Sequence, residues 1–122
     1  MTVRAVHEWW AWVVVIGNGL AGVWALGAHR FEVLRHRSLW WFTAGAELAV
    51  SVQVTLGAIM VGAQGIVAPS FHVFYGFVAL MSVAVIYGYR HQVAAYRYLL
   101  YGLGGLFLMG LGIRAMYLAH PV

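Results

Sequence analysis

The sequence predicts an all-α integral membrane fold, a four-helix up-down bundle with both termini on the extracytoplasmic side. Three observations predict it. The 122 residues are 64% hydrophobic and only 8% charged, against about 25% charged residues in an ordinary soluble domain. The apolar residues fall into four runs, each near the roughly 20 residues that cross the hydrocarbon of a bilayer as a helix. The charges gather between those runs and near the chain ends, with Glu47 the clearest exception. The whole chain, 1–122, therefore reads as a single transmembrane domain.

The elements follow in order. Met1–Glu8 is a short polar leader. The first span covers Trp9–Ala28 and opens on Trp9, Trp10 and Trp12, as an interfacial aromatic belt does. It leads straight into a basic loop with no small-residue cleavage site, so it reads as a retained span and not a signal peptide. The loop His29–Ser38 carries Arg30, Arg35 and Arg37. The second span, Leu39–Gln64, is entered through Trp40, Trp41 and Phe42. Gly65–Ser70 is a short turn, with Pro69 placed near the first turn of the next helix, where a missing N–H costs nothing. The third span is Phe71–Tyr89, the second basic connection is Arg90–Arg97, and the fourth span is Tyr98–Leu118. His120–Val122 ends the chain.

Both long connections are basic, with Arg30, Arg35, Arg37, Arg90 and Arg97 between them. The opposite face has Arg4, and Arg114 lies inside the last span near that face. The positive-inside rule places both basic loops in the cytoplasm and both termini outside. No basic stripe suggests nucleic acid. The absence of cysteine excludes disulfides and thiolate metal sites.

Small residues mark where helices can approach. Gly17, Gly19 and Gly22 lie in the first span, and Gly102, Gly104, Gly105, Gly110 and Gly112 in the fourth. With no hydrophobic drive between helices in lipid, such residues allow the close backbone packing that holds a membrane bundle together. Gly17-Asn-Gly19-Leu-Ala-Gly22 also matches a dinucleotide-binding fingerprint. That chemistry needs a preceding strand, a soluble βαβ unit and an acid about 20 positions on, and here Phe42 stands in the acid's place.

The polar residues inside the spans are few. Thr43, Glu47, Ser51 and Thr55 recur every fourth position, so on a helix they form one slowly drifting stripe. The other spans are expected to cover it. A carboxylate at this depth is costly and is normally turned inward to a pathway or a partner. At 1.5 Å of rise per residue, Glu47 lies about 12 Å from the cytoplasmic start of its helix, with Asn18 and Ser82 at a similar level. Asn18 is the expected partner of Glu47, and Asn18, Ser51 and Ser82 complete a buried polar or transport site. A second, external cluster comprises His7, Glu8, His72 and Arg114. Arg114 is about 12 Å above Glu47, too far to pair with it. His7 and His72 begin parallel helices at one face, where two imidazoles could ligate a b-type haem or, with Glu8, a metal ion.

Phe71-His-Val-Phe-Tyr-Gly-Phe-Val-Ala79 and Gly102-Leu-Gly-Gly-Leu-Phe-Leu-Met-Gly-Leu-Gly-Ile-Arg-Ala115 resemble segments of small uncharacterised four-span membrane proteins of high-GC Gram-positive bacteria. The resemblance implies a multi-pass protein of the bacterial plasma membrane and brings no activity with it. The size and span count also resemble the small multidrug transporters. Those carry their essential carboxylate in the first span, where this chain has Asn18.

Three functions remain open. The first is a non-catalytic accessory or assembly subunit of a larger membrane complex, such as a respiratory one. Its partners would be the lipid bilayer and other membrane helices, from copies of itself or from a larger complex. The second is a small proton-coupled transporter or channel using Glu47. The third is a haem b electron carrier using His7 and His72. The sequence has no nucleophile–base pair, paired carboxylates or H-x-x-x-H spacing, which weighs against an enzyme.

Overall fold

Thr2 opens the first helix. Its hydroxyl accepts a hydrogen bond from the Ala5 amide at 3.1 Å, satisfying one of the free N–H groups of the first turn, and α1 runs over Val3–Arg30. The computed structural model describes residues 2–119; Met1 and the His120–Val122 tail lie outside the described residues. Helix α2 covers Arg37–Gly62, α3 Ser70–Gly88 and α4 Arg97–Tyr117. Short 3-10 turns at Glu32–Leu34 and Ala94–Tyr96 lie in the two basic connections. Three helices begin and end within two residues of the expected spans. The exception is the start of α1, which reaches back through the supposed polar leader, so His7 and Glu8 are helical.

Local chemistry sets the boundaries. The His36 imidazole caps α2, with Nδ1 accepting from the Ser38 amide at 3.1 Å. Pro69, in an extended conformation at ψ 138°, precedes the first residue of α3, where its ring blocks nothing. Gly65 turns the α2–α3 connection at φ +64°, a conformation that only glycine adopts without strain.

All four helices are long and apolar enough to cross a membrane. Among the described residues there is no strand. Helix α1 packs most extensively against α4, then against α2. Helix α3 rests mainly on α4 and touches α2 only lightly. The centre of the bundle is therefore α1 and not the polar stripe of α2. Within their apolar windows, 44% of α1 is buried against 11% of α3. Ile86 is the one side chain of α3 that is fully buried.

The α1–α4 contact is backbone on backbone. A methyl group placed on Gly22 would lie 2.8 Å from both the Gly102 carbonyl oxygen and the Leu106 nitrogen. One placed on Gly105 would lie 2.8 Å from the Asn18 carbonyl oxygen and the Gly22 Cα. The glycine pattern that imitates a dinucleotide fingerprint thus lies in mid-helix, and its last glycine is the crossing point with α4. At the basic-loop end, Ala25, Ala28 and Leu39 form a core beneath Trp24, Trp40, Tyr98 and Tyr101. Arginines pin the loops to this aromatic layer. Arg35 bonds the Ala28 carbonyl at 2.7 Å and lies over Tyr98, and Arg97 lies over both Trp40 and Tyr98.

Candidate functional site

Two polar layers exist, and their membership differs from the sequence expectation. The first contains Glu47. Asn18 is buried at the same level, but it does not answer the carboxylate. Its amide nitrogen donates to the Val14 carbonyl of its own helix at 2.9 Å and to the Ala46 carbonyl of α2 at 3.1 Å. The reason is register. Ala46, not Glu47, is the buried α2 residue facing α1, and Glu47 is rotated by one position, about 100° around the helix. Asn18 is a clamp between two helices.

Glu47 shares its face of α2 with Trp40, which packs on Tyr101 of α4 at 5.2 Å between ring centroids. Tyr101 is within electrostatic reach of Glu47, Tyr87 and Arg90. The Arg90 guanidinium stacks 3.6 Å from the Tyr87 ring centroid and donates to that residue's carbonyl at 2.6 Å. Glu47 is half-buried, and its carboxylate takes part in no hydrogen bond or ion pair among the described residues. Tyr101 and Arg90 were missing from the expected site. Tyr101 reads as another interfacial aromatic and Arg90 as loop charge, and only the packing of Trp40 on Tyr101 brings α4 toward the face of α2 that carries Glu47.

The remaining members of the expected inner site disperse. Ser82 donates to the Val78 carbonyl of its own helix at 2.7 Å and lines the groove between α3 and α4. Ser51 accepts on its backbone carbonyl from the Thr55 hydroxyl at 2.8 Å. The stripe drifts as its spacing requires. Thr43 is buried, Glu47 and Ser51 are half-buried, and Thr55 is exposed. The Thr43 hydroxyl oxygen is buried without a partner.

The second layer lies near the start of α1. His7 and His72 meet as expected, with ring centroids 6.1 Å apart and the rings nearly perpendicular at 79°. His72 Nδ1 lies 2.7 Å from the Ala115 carbonyl oxygen of α4. Gln53 of α2 donates to the His7 carbonyl at 2.8 Å. The other two expected members turn away. Glu8 pairs with Arg4 across one helical turn at 3.5 Å on the exposed surface, and Arg114 is exposed. Helix periodicity explains Glu8: one position on from His7 it is rotated about 100° away from the bundle. Gln53 was the residue missed. As an amide in an apolar span it carries the same signal as Asn18.

Between the layers lies an apolar cluster of Val14, Ala49 and Val50, flanked by Trp10, Val13, Ala79 and Val83. Trp10 closes its edge by donating its indole N–H to the Ala49 carbonyl at 2.9 Å. Among the described residues, no group of three or more His, Cys, Asp or Glu side chains is placed to hold a metal. No protein-family model, no curated protein and no solved structure matches the chain.

Proposed function

We propose that the chain is a non-catalytic accessory or assembly subunit of a larger complex in the bacterial plasma membrane, with its basic loops in the cytoplasm and both termini outside. The observation that carries this reading is the poor cover of α3. Its side chains Phe77, Met81 and Val85 stay exposed, and with Leu103 and Phe107 of α4 they border an apolar groove of about 720 Å³. An apolar groove of this size between two helices can be filled by a further helix through side-chain packing, which is the term that drives helix association in lipid. The apolar cluster between the polar layers supports the same reading, because it counts against a water-filled path through one chain.

The test is the mass of the particle. The tagged chain is extracted from its own membrane in a mild detergent and sized by light scattering. A particle of constant composition, larger than one 13.5 kDa chain in its micelle, is expected. A chain that always runs as a lone monomer overturns the proposal. Self-association would appear as an integral multiple of the chain mass, and a larger complex as a constant set of other chains.

A second reading is favoured by one specific observation, the Glu47 carboxylate with no bonded partner. An intramembrane acid without a structural bond is suited to carrying a proton, and Tyr101 would then be the polar side chain within its electrostatic reach. Proton-coupled flux in proteoliposomes that survives Glu47→Gln unchanged would remove this reading.

A further inference from the structure

The layer at the start of α1 is built more carefully than an interfacial cluster of polar end-groups requires. Two imidazoles from helices far apart in sequence are brought into contact, and each is held by a different neighbour. The His72 Nδ1 contact with the Ala115 carbonyl is a hydrogen bond that only an N–H can make, which puts a proton on Nδ1 and makes Nε2 the nitrogen through which the neutral ring would bind an ion. Metal-ligating histidines are oriented in this way by a carbonyl behind the ring. The His7 backbone is tied to α2 by Gln53. Its ring lies against Gly57, where an added methyl group would be only 3.3 Å from Cε1.

Two atoms in this layer remain unanswered. His7 Nδ1 and Gln53 Oε1 are buried with no hydrogen-bond partner. Buried polar atoms are nearly always paired, and each exception needs a cause. Both atoms can act as electron-pair donors, and a cation satisfies both. We propose that His7 and His72 bind one divalent transition-metal ion of the class that imidazole favours, such as zinc or copper. The ligands would be His72 Nε2 and His7 Nδ1. Gln53 supplies a carbonyl oxygen or holds His7 in place, and water completes the shell.

The separation fits. Two imidazoles bound to one ion at about 2.0–2.1 Å bring their ring centres to roughly 5–6 Å, so the observed 6.1 Å needs closure of no more than about 1 Å. A haem held axially by both imidazoles would set their ring centres at a similar distance, so a Soret band, and not the spacing, distinguishes it from a small ion. The donor set is not the one the sequence suggests, because Glu8 faces Arg4 on the surface.

The experiment uses the full chain in detergent micelles, stripped with a chelator and titrated with Zn²⁺ alone by calorimetry. One ion per chain is expected. His7→Ala and His72→Ala should each weaken binding at least tenfold, and His91→Ala, an exposed loop histidine, should bind as the parent does. Circular dichroism of each variant separates loss of a ligand from loss of the fold. Gln53→Leu gives an independent check, since it keeps both imidazoles and should still weaken binding. No binding to the parent chain overturns the proposal. So does undiminished binding to a folded His72→Ala chain, or a Soret band after expression with ample haem.

Discussion

Substituting Gly105 by alanine tests the α1–α4 crossing directly. In an ordinary helix this change adds about 0.5–1 kcal/mol of stability, because glycine loses more backbone freedom on folding. Here the sign should reverse. The new methyl would lie 2.8 Å from the Asn18 carbonyl oxygen and the Gly22 Cα, and 2.9 Å from the Gly22 nitrogen. Carbon atoms in good contact stand about 3.5–4.0 Å apart, so the two helices must separate by about 1 Å. All three obstructing atoms are backbone, so no rotamer change relieves them. Overpacking of this kind costs about 1–3 kcal/mol, and a gap of that width forfeits a quarter to a half of each neighbouring dispersion contact. A net loss of about 2 kcal/mol, more than tenfold in the folded population, is the expected outcome. The assay is reversible unfolding in mixed micelles followed by tryptophan fluorescence. Gly110→Ala is the control, since a methyl there meets nothing within 4 Å, and it should be neutral or slightly stabilising. Equal stability of the two variants would refute the close crossing.

Other outcomes follow from the same structure and use the same unfolding assay. Asn18→Leu loses the bonds to Val14 and Ala46 and should cost about 1–2 kcal/mol, since interhelical bonds in membranes average well under 2 kcal/mol each. Glu47→Gln should change stability by less than about 0.5 kcal/mol, because no partner is lost. A larger loss would mean that the carboxylate has a structural bond. Ile86→Ala removes the buried anchor of α3, which packs on Gly104. It should cost about 2–4 kcal/mol and raise amide exchange in α3 before α1. Trp10→Phe loses the bond to Ala49 and part of the indole's packing on the Val14–Val50 cluster, for about 1–3 kcal/mol.

The four helices were legible because length and hydropathy alone decide whether a segment can span a bilayer, and the loops announce themselves by arginine. The glycine-dense fourth span was legible for a related reason: a membrane helix has little use for so many glycines unless another backbone comes close. Helix rotation was not legible. Depth along the axis follows from counting residues, so Asn18 and Glu47 fell correctly at one level. Which way each points depends on the crossing of α1 and α2, which no single span encodes. That is why Asn18 bonds to Ala46 and why Glu8 and Arg114 leave the external cluster. His7 and His72 were found because both lie at helix starts on one face, where depth and proximity nearly coincide.

The packing order has a consequence for where partners would act. Helices α1 and α4 are locked by backbone contact through Gly22 and Gly105, and Asn18 and Trp10 hold α2 to α1. Helix α3 has no comparable tie within the bundle. Its polar link to another helix is the His72 contact with Ala115 at one end, while the Arg90 bond to Tyr87 at the other stays within its own terminal turn. Between those ends only Ile86 is fully enclosed. A rigid three-helix frame therefore carries one loosely seated helix, whose ends reach the two polar layers. Any helix docking into the α3–α4 groove would press on α3 first, and so on the placement of His72 and the surroundings of Glu47. If so, displacing α3 at its anchor, as in Gly104→Leu, whose side chain would push Ile86 away, should shift zinc binding at the His7–His72 pair without touching either imidazole. Unchanged binding in a folded variant would show that the groove and the histidine layer are independent.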